Sequence, residues 1–196
     1  MRRQPVQRRS RQTVDAILQA AEHLVVDVGY ETFVASPELL LQAAGVSRGS
    51  LYTYFTSPQT VLDEIALRIL QGSREHVAAI AKAPPPTWQE AVDLVIECFE
   101  ADYRRPVVRE IWLNRPLPPH ILHEDIATNS SISAEFHSLL TRYPPNFAGL
   151  EKYHSAAAIE TLDSLLRYAY RHTSAGDPCL RTEARTAVLA YLSVYA

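Results

Sequence analysis

Apolar side chains recur at intervals of three and four residues along most of this chain, a period that fits helices and little else. Over residues 13–28 they fall at Val14, Ile17, Leu18, Ala21, Leu24, Val25 and Val28, which line one stripe of a 3.6-residue helix. No alternating pattern competes for a strand anywhere. Breaks in the pattern carry the chemistry of helix ends. Gly29 stops the first helix, and Ser36 then Pro37 sets a hydroxyl N-cap before a proline at the first helical position, a signal that Ser57 and Pro58 repeat. The expected helices are 13–28, 37–44, a short one capped by Ser47 and running 48–54, and a long one from Pro58 to about Ala81. Pro84, Pro85 and Pro86 end that one and Thr87 caps the next, whose stripe is Ala91, Val92, Val95, Ile96, Phe99 and Tyr103. A segment from Pro106 through Trp112, one or two helices over 121–143, and two long amphipathic helices over 150–172 and 181–196 complete the series. Residues 30–35 and 115–120 read as connections. The fold class expected is all-α: a three-helix head before Pro58 and a helical bundle after it.

Composition narrows the class of molecule. Of 196 residues, 47% are hydrophobic and 21% charged, which is enough apolar surface for a core. No apolar run is long enough to cross a bilayer, and the N-terminus is an arginine cluster without a signal core, so no membrane is expected and the expected address is cytoplasmic. Cys98 and Cys179 are too far apart in sequence for a zinc pattern and too few for a disulfide framework. The formal charge of −3 is unevenly spread. Arg2, Arg3, Arg8, Arg9 and Arg11 give the first eleven residues +5, leaving −8 for the rest. Residues 1–12 therefore read as a flexible basic arm, able to neutralise phosphates on an otherwise acidic chain, or else as a solubilising tail. No glycine-rich phosphate loop, nucleophile motif or persuasive carboxylate pair is present, and no enzyme and no cofactor are expected.

The segment GYETFVASPELLLQAAGVSRGSLYTYF, residues 29–55, is a helix-turn-helix outline. A recognition helix needs a small turn, inward anchors and polar outward side chains. Gly45 supplies the turn, Val46, Leu51 and Phe55 the anchors, and Arg48, Ser50, Tyr52 and Tyr54 the outer face and edges. Arg48 is the expected base reader, because a guanidinium donates two parallel bonds to guanine. Gly49 lets the backbone approach DNA closely, or is simply tolerated in a short helix. Taken with Ala20 and Ala21, the Gly29 and Tyr30 junction and the Ala44 to Ser47 turn, residues 13 to about 62 resemble the DNA-binding head of the TetR family of transcriptional regulators. The resemblance implies a homodimer that binds a palindromic double-stranded operator through Ser36, Ser47, Arg48, Gly49, Ser50, Tyr52, Thr53 and Tyr54. Ser36 is equally a cap for its helix. Pro58 stands where relatives carry a lysine, which leaves the amides of the helix after it, and the arginine arm, to meet phosphate. Residues 13–58 are accordingly the expected DNA-binding domain.

Residues 59–196 are the expected ligand-binding and dimerisation domain. The resemblance implies a cavity for a small-molecule effector, with Phe99, Tyr103, Trp112, Phe136 and the polar His123 as candidate lining, although aromatic residues at helical spacing also build ordinary core. His120 and His123 lie beside Glu124 and Asp125, but a surface or pocket pair is the simpler reading and no metal is expected. For the dimer interface the candidates are Ile159, Leu162 and Leu166 on one helix and Val188 and Leu192 on the last, with intramolecular core as the alternative. The expected function is a ligand-responsive regulator, a repressor released from its operator by effector. The alternative is an effector-blind helix-turn-helix dimer acting through protein contacts. The apolar helix reaching Ala196 suggests that the chain continues beyond it.

Overall fold

A computed structural model describes residues 8–196, so Arg2 and Arg3 of the basic arm lie outside the described residues. Its helices are α1 (Arg8–Val28), α2 (Tyr30–Ala35), α3 (Pro37–Ala44), α4 (Arg48–Tyr54), α5 (Pro58–Lys82), α6 (Trp88–Tyr103), α7 (Pro106–Val108), α8 (Pro119–Leu140), α9 (Lys152–Ala169) and α10 (Pro178–Ser193). No strand occurs among the described residues. Helix α1 begins at Arg8, ahead of the expected Thr13, and residues 30–35 form a helical turn where a plain connection was expected. Helix α7 runs into a π-helical turn, Arg109–Leu113.

The chain divides into two compact units. The first comprises Met1–Arg68 together with Pro106–Leu117. Its core is Val14, Ile17, Ala21 and Val25 of α1 with Phe33, Leu40, Leu51, Phe55, Val61 and Ile65, each at most 1% exposed. Val107, Val108, Ile111 and Trp112 are buried as well, with α7 packed on α1. The Arg115 guanidinium lies 3.5 Å above the Tyr30 ring centre, a cation–π contact that ties the 106–117 segment to the start of α2.

The second unit, Ile69–Arg105 with Pro118–Ala196, has α9 at its centre, touching α6, α8 and α10. Thr87 and Glu90 cap α6 reciprocally, side chain to backbone, at 3.3 Å in both directions. Helix α10 starts a turn before the expected Arg181, because the Asp177 carboxylate accepts from the amides of Cys179 and Leu180 and Pro178 sits at the first helical position.

Charges inside this unit are paired. Glu100, 6% exposed, accepts two bonds from Arg181 at 2.7 and 2.6 Å and a third from Arg104. The more exposed Asp93 accepts two bonds from Arg185. These pairs line a surface groove of about 430 Å³ between α6 and α10. Deeper in, the Tyr103 hydroxyl donates to Asp163 at 2.6 Å, Asp163 also accepts from Arg167, and the Tyr103 ring stacks on Tyr170.

A charge-assisted fork to a buried carboxylate stabilises more than one at the surface. Arg181→Ala is therefore expected to lower unfolding stability by about 2 kcal/mol, and Arg185→Ala by less than about 1 kcal/mol, in urea titrations. Burial, reinforced by the Asp163 charge, holds the Tyr103 phenol well above its usual value. A folded-state value above the unfolded one contributes stability that is complete below about pH 10 and lost as pH rises through the folded value. Denaturation midpoints should fall above pH 10, with a shallower fall in Tyr103→Phe.

Candidate nucleic-acid interface

The turn between α3 and α4 is built by three successive residues. Gly45 closes α3 in the left-handed region, φ 63°, donating to the carbonyls of Gln42 and Leu41, and the Val46 amide donates to Leu41 at 3.2 Å. A side chain at φ 63° would be strained, which is why glycine stands here. Ser47 then caps α4, its hydroxyl accepting from the Ser50 amide at 3.1 Å. Gly29 has the same role at the end of α1, where φ 78° with ψ 159° is a conformation open essentially to glycine alone.

Leu51 and Phe55 are fully buried in the first unit, and this fixes the roll of α4. Val46 is only half-buried. Arg48, Gly49 and Thr53 are exposed, while Ser50, Tyr52 and Tyr54 lie half-buried at the edges, so the predicted contact residues of α4 share its outer side and rims. The hydroxyls are already engaged locally: Ser47 and Ser50 lie 2.9 Å apart, and Thr53 donates to the Gly49 carbonyl at 2.8 Å. Arg48, the one charged side chain of α4, donates through Nη2 to Oε1 of Glu38 at the start of α3. That carboxylate carries no signal in the sequence, where it stands ten residues away.

One of the two expected serine caps is absent and the other is present. Ser36 occupies the N-cap position of α3, but its hydroxyl makes no capping bond, because φ −126° with ψ 72° departs from capping geometry. At the start of α5, Pro58 is buried, and Ser57 and Thr60 cap one another, with the Ser57 amide donating to the Thr60 hydroxyl at 3.2 Å and the Thr60 amide to the Ser57 hydroxyl at 3.4 Å. Two of the amides expected to face phosphate thus have side-chain partners. In the same region the Tyr30 hydroxyl donates to Gln59.

The candidate effector residues divide between the units. Phe99, Tyr103 and Phe136 are buried in the second, Trp112 is buried in the first, and His123 is exposed on α8. Sequence reading missed the charged and polar groups beside the aromatics: Glu100, Asp163 and Arg167, and the buried Thr128, Asn129, Ser133 and Ser155. The five residues expected at a dimer interface, Ile159, Leu162, Leu166, Val188 and Leu192, are at most 2% exposed within this one chain. They are buried in the core that its own α9 and α10 form by packing together. Among the described residues, no group of three or more His, Cys, Asp or Glu side chains is placed to hold a metal ion. Burial, with the Asp102 and Glu97 charges, pushes the Cys98 thiol up, away from the thiolate form. No helix among the described residues is long and apolar enough to cross a membrane.

The solved structures similar to this chain are transcriptional regulators. A TetR-family regulator from Streptomyces coelicolor matches at 25% identity over 94% of this chain and 99% of its own, with a TM-score of 0.69. A protein from Mesorhizobium loti assigned to the same family superposes with a TM-score of 0.76 at 19% identity, over 97% of this chain and all of its own. The TetR-family regulator PfmR from Thermus thermophilus gives 0.62 at 23% identity, over 90% of this chain and 97% of its own. No curated protein sequence matches. The family model of the tetracyclin repressor-like C-terminal domain matches residues 87–192, more than half of the sequence, and none of those residues belongs to the helix-turn-helix. With a helix-turn-helix at one end and that domain at the other, the chain belongs to the TetR family of transcriptional regulators.

Proposed function

We propose that this chain is a cytoplasmic repressor that binds a palindromic duplex operator as a homodimer and is released by a small molecule held in the C-terminal bundle. The observation that carries the reading is α4, a short helix whose roll is locked by Leu51 and Phe55 and whose only charge, Arg48, points to solvent. Such a helix can enter the major groove with its N-terminal residues toward the base edges. Arg48 is the base reader in this proposal. Ser36, whose hydroxyl makes no capping bond, is a phosphate contact, as are the exposed Ser47 and Thr53 and, at the rims, Ser50, Tyr52 and Tyr54, while Gly49 admits close approach.

A palindrome requires two heads about one DNA turn apart. The second copy would meet the outer faces of α9 and α10, where Ala157, Thr161 and Ser164 and then Thr182, Thr186 and Ala190 form exposed, uncharged stripes of small residues. For the effector, Phe99, Tyr103 and Phe136 offer aromatic walls, and the buried Thr128 hydroxyl, which has no partner, offers a polar group. Ligand would favour one arrangement of the paired heads over another. A second reading, a bundle that only dimerises, draws on the fact that Tyr103 is already held by Asp163 and stacked on Tyr170.

Selection of binding sites from random duplex DNA tests the central claim. Wild type should recover an inverted repeat. Arg48→Ala should lose preference at one base pair in each half-site, by about 1–3 kcal/mol of discrimination. Recovery of no motif, with no binding even at low salt, would overturn the DNA-binding reading. For the dimer, Ala190→Arg places a long cation in the proposed seam. Sedimentation equilibrium should show a monomer with operator affinity reduced at least about a hundredfold, since paired heads gain roughly 10²–10⁴ from acting together. A dimer that persists in Ala190→Arg places the interface elsewhere.

A further inference from the structure

We infer that Glu38 is a positioning residue that sets the base readout of Arg48, an inference that rests on the DNA-reading role proposed for α4. Glu38 is the second residue of α3 and Arg48 the first of α4, and the Gly45 turn brings them together. The bond from Arg48 Nη2 to Glu38 Oε1 uses one of the five N–H donors of the guanidinium. Guanine needs two parallel donors, so a guanidinium held by the carboxylate still has an edge to offer. Both side chains are about two-thirds exposed, 64% and 65%, so the pair adds little to folding. Its consequence lies in binding. An arginine side chain has many rotamers to lose when it docks on a base, and a carboxylate that already limits them lowers that cost.

Glu38 also presents a negative charge on the side proposed to meet a polyanion. It opposes attachment to phosphate regardless of sequence, and it keeps Arg48 engaged when no guanine is in register. The two effects act in opposite directions on the two kinds of DNA. Glu38 supports the operator complex through Arg48 and penalises every other complex through its charge. A residue that merely stabilised the first turn of α3 against the helix dipole would alter all DNA affinities alike.

That difference supplies the test, made on the full chain. Dissociation constants are measured at one salt concentration for the selected operator, for the operator changed at the base pair that Arg48→Ala relaxes, and for random duplex. The proteins are wild type, Glu38→Gln and Glu38→Ala, each also combined with Arg48→Ala. Glu38→Ala should narrow the ratio between operator and altered operator by about three- to tenfold, within the range of couplings between contacting residues. It should bind random duplex at least as tightly as wild type. Glu38→Gln keeps an acceptor oxygen without the charge and should fall between. In the Arg48→Ala background neither substitution should change the ratio. An unchanged ratio in Glu38→Ala, an equal change in the Arg48→Ala background, or uniform weakening on all three DNAs would overturn the positioning role while leaving the DNA-binding reading standing. A wild-type protein that selects no operator would overturn that reading and this one with it.

Discussion

Burial of Leu51 and Phe55 beside Val14, Ile17, Ala21 and Leu40 decides what the rest of the head can do. Residues three and four apart on a helix share a face, so fixing Leu51 in the core sends Gly49 and Thr53 to the opposite side, while Arg48 is exposed at the helix's first position. Placing that face on the molecule is the task of the turn. Gly45 reverses the chain within one residue by adopting a left-handed conformation, and Ser47 restarts a helix at once by capping it. The meeting of Glu38 with Arg48 follows from both constraints together. A longer turn would part the two helix starts, and a different roll of α4 would aim Arg48 elsewhere.

The second unit solves a different problem. Its central helix α9 is apolar on the side that meets α8 and α10, yet it also carries Asp163 and Arg167, and neighbouring α6 carries Glu100 and Tyr103. Ionised groups at such depth are tolerable only when their donors and acceptors find partners. They do so in two groups: Glu100 takes bonds from Arg104 and Arg181, and Asp163 takes them from Tyr103 and Arg167. Pairing of this kind specifies register more than it stabilises, because each carboxylate is satisfied in one packing of the helices.

Most of the head was legible in the sequence. Val14, Ile17, Leu51 and Phe55 were legible by period, and Gly45 and Ser47 by end chemistry, since both signals are local. Helix α2 was not, because it is six residues long, opens on Gly29 and has no side-chain cap. The start of α10 was legible in principle, for Asp177 before Pro178 carries the same chemistry as Ser36 before Pro37, and the surrounding loop residues obscure it. Ile159, Leu162, Leu166, Val188 and Leu192 show the limit of periodicity. It identifies which face of a helix avoids water, but not whether its cover is the same chain or a second one, and here it is the same chain. Glu38 with Arg48, ten residues apart, and Glu100 with Arg181, eighty-one apart, were illegible for a related reason: a charge pair leaves no periodic trace.

The single charge on α4 bears on how an acidic chain could hold DNA at all. Affinity for duplex comes largely from phosphate neutralisation, and α4 offers one cation, itself paired with an anion. The start of α5 adds little, since the amides of Ser57 and Thr60 have hydroxyl partners and Pro58 is buried. Under the proposed function, each head considered alone is a weak but discriminating reader. Joining two such heads then adds to what the arginines of residues 1–11 can contribute, because linkage makes the second contact intramolecular and multiplies affinity without any new positive charge. In that arrangement a modest change in how the heads are held is enough to lose the operator, which is the property a ligand-released repressor requires.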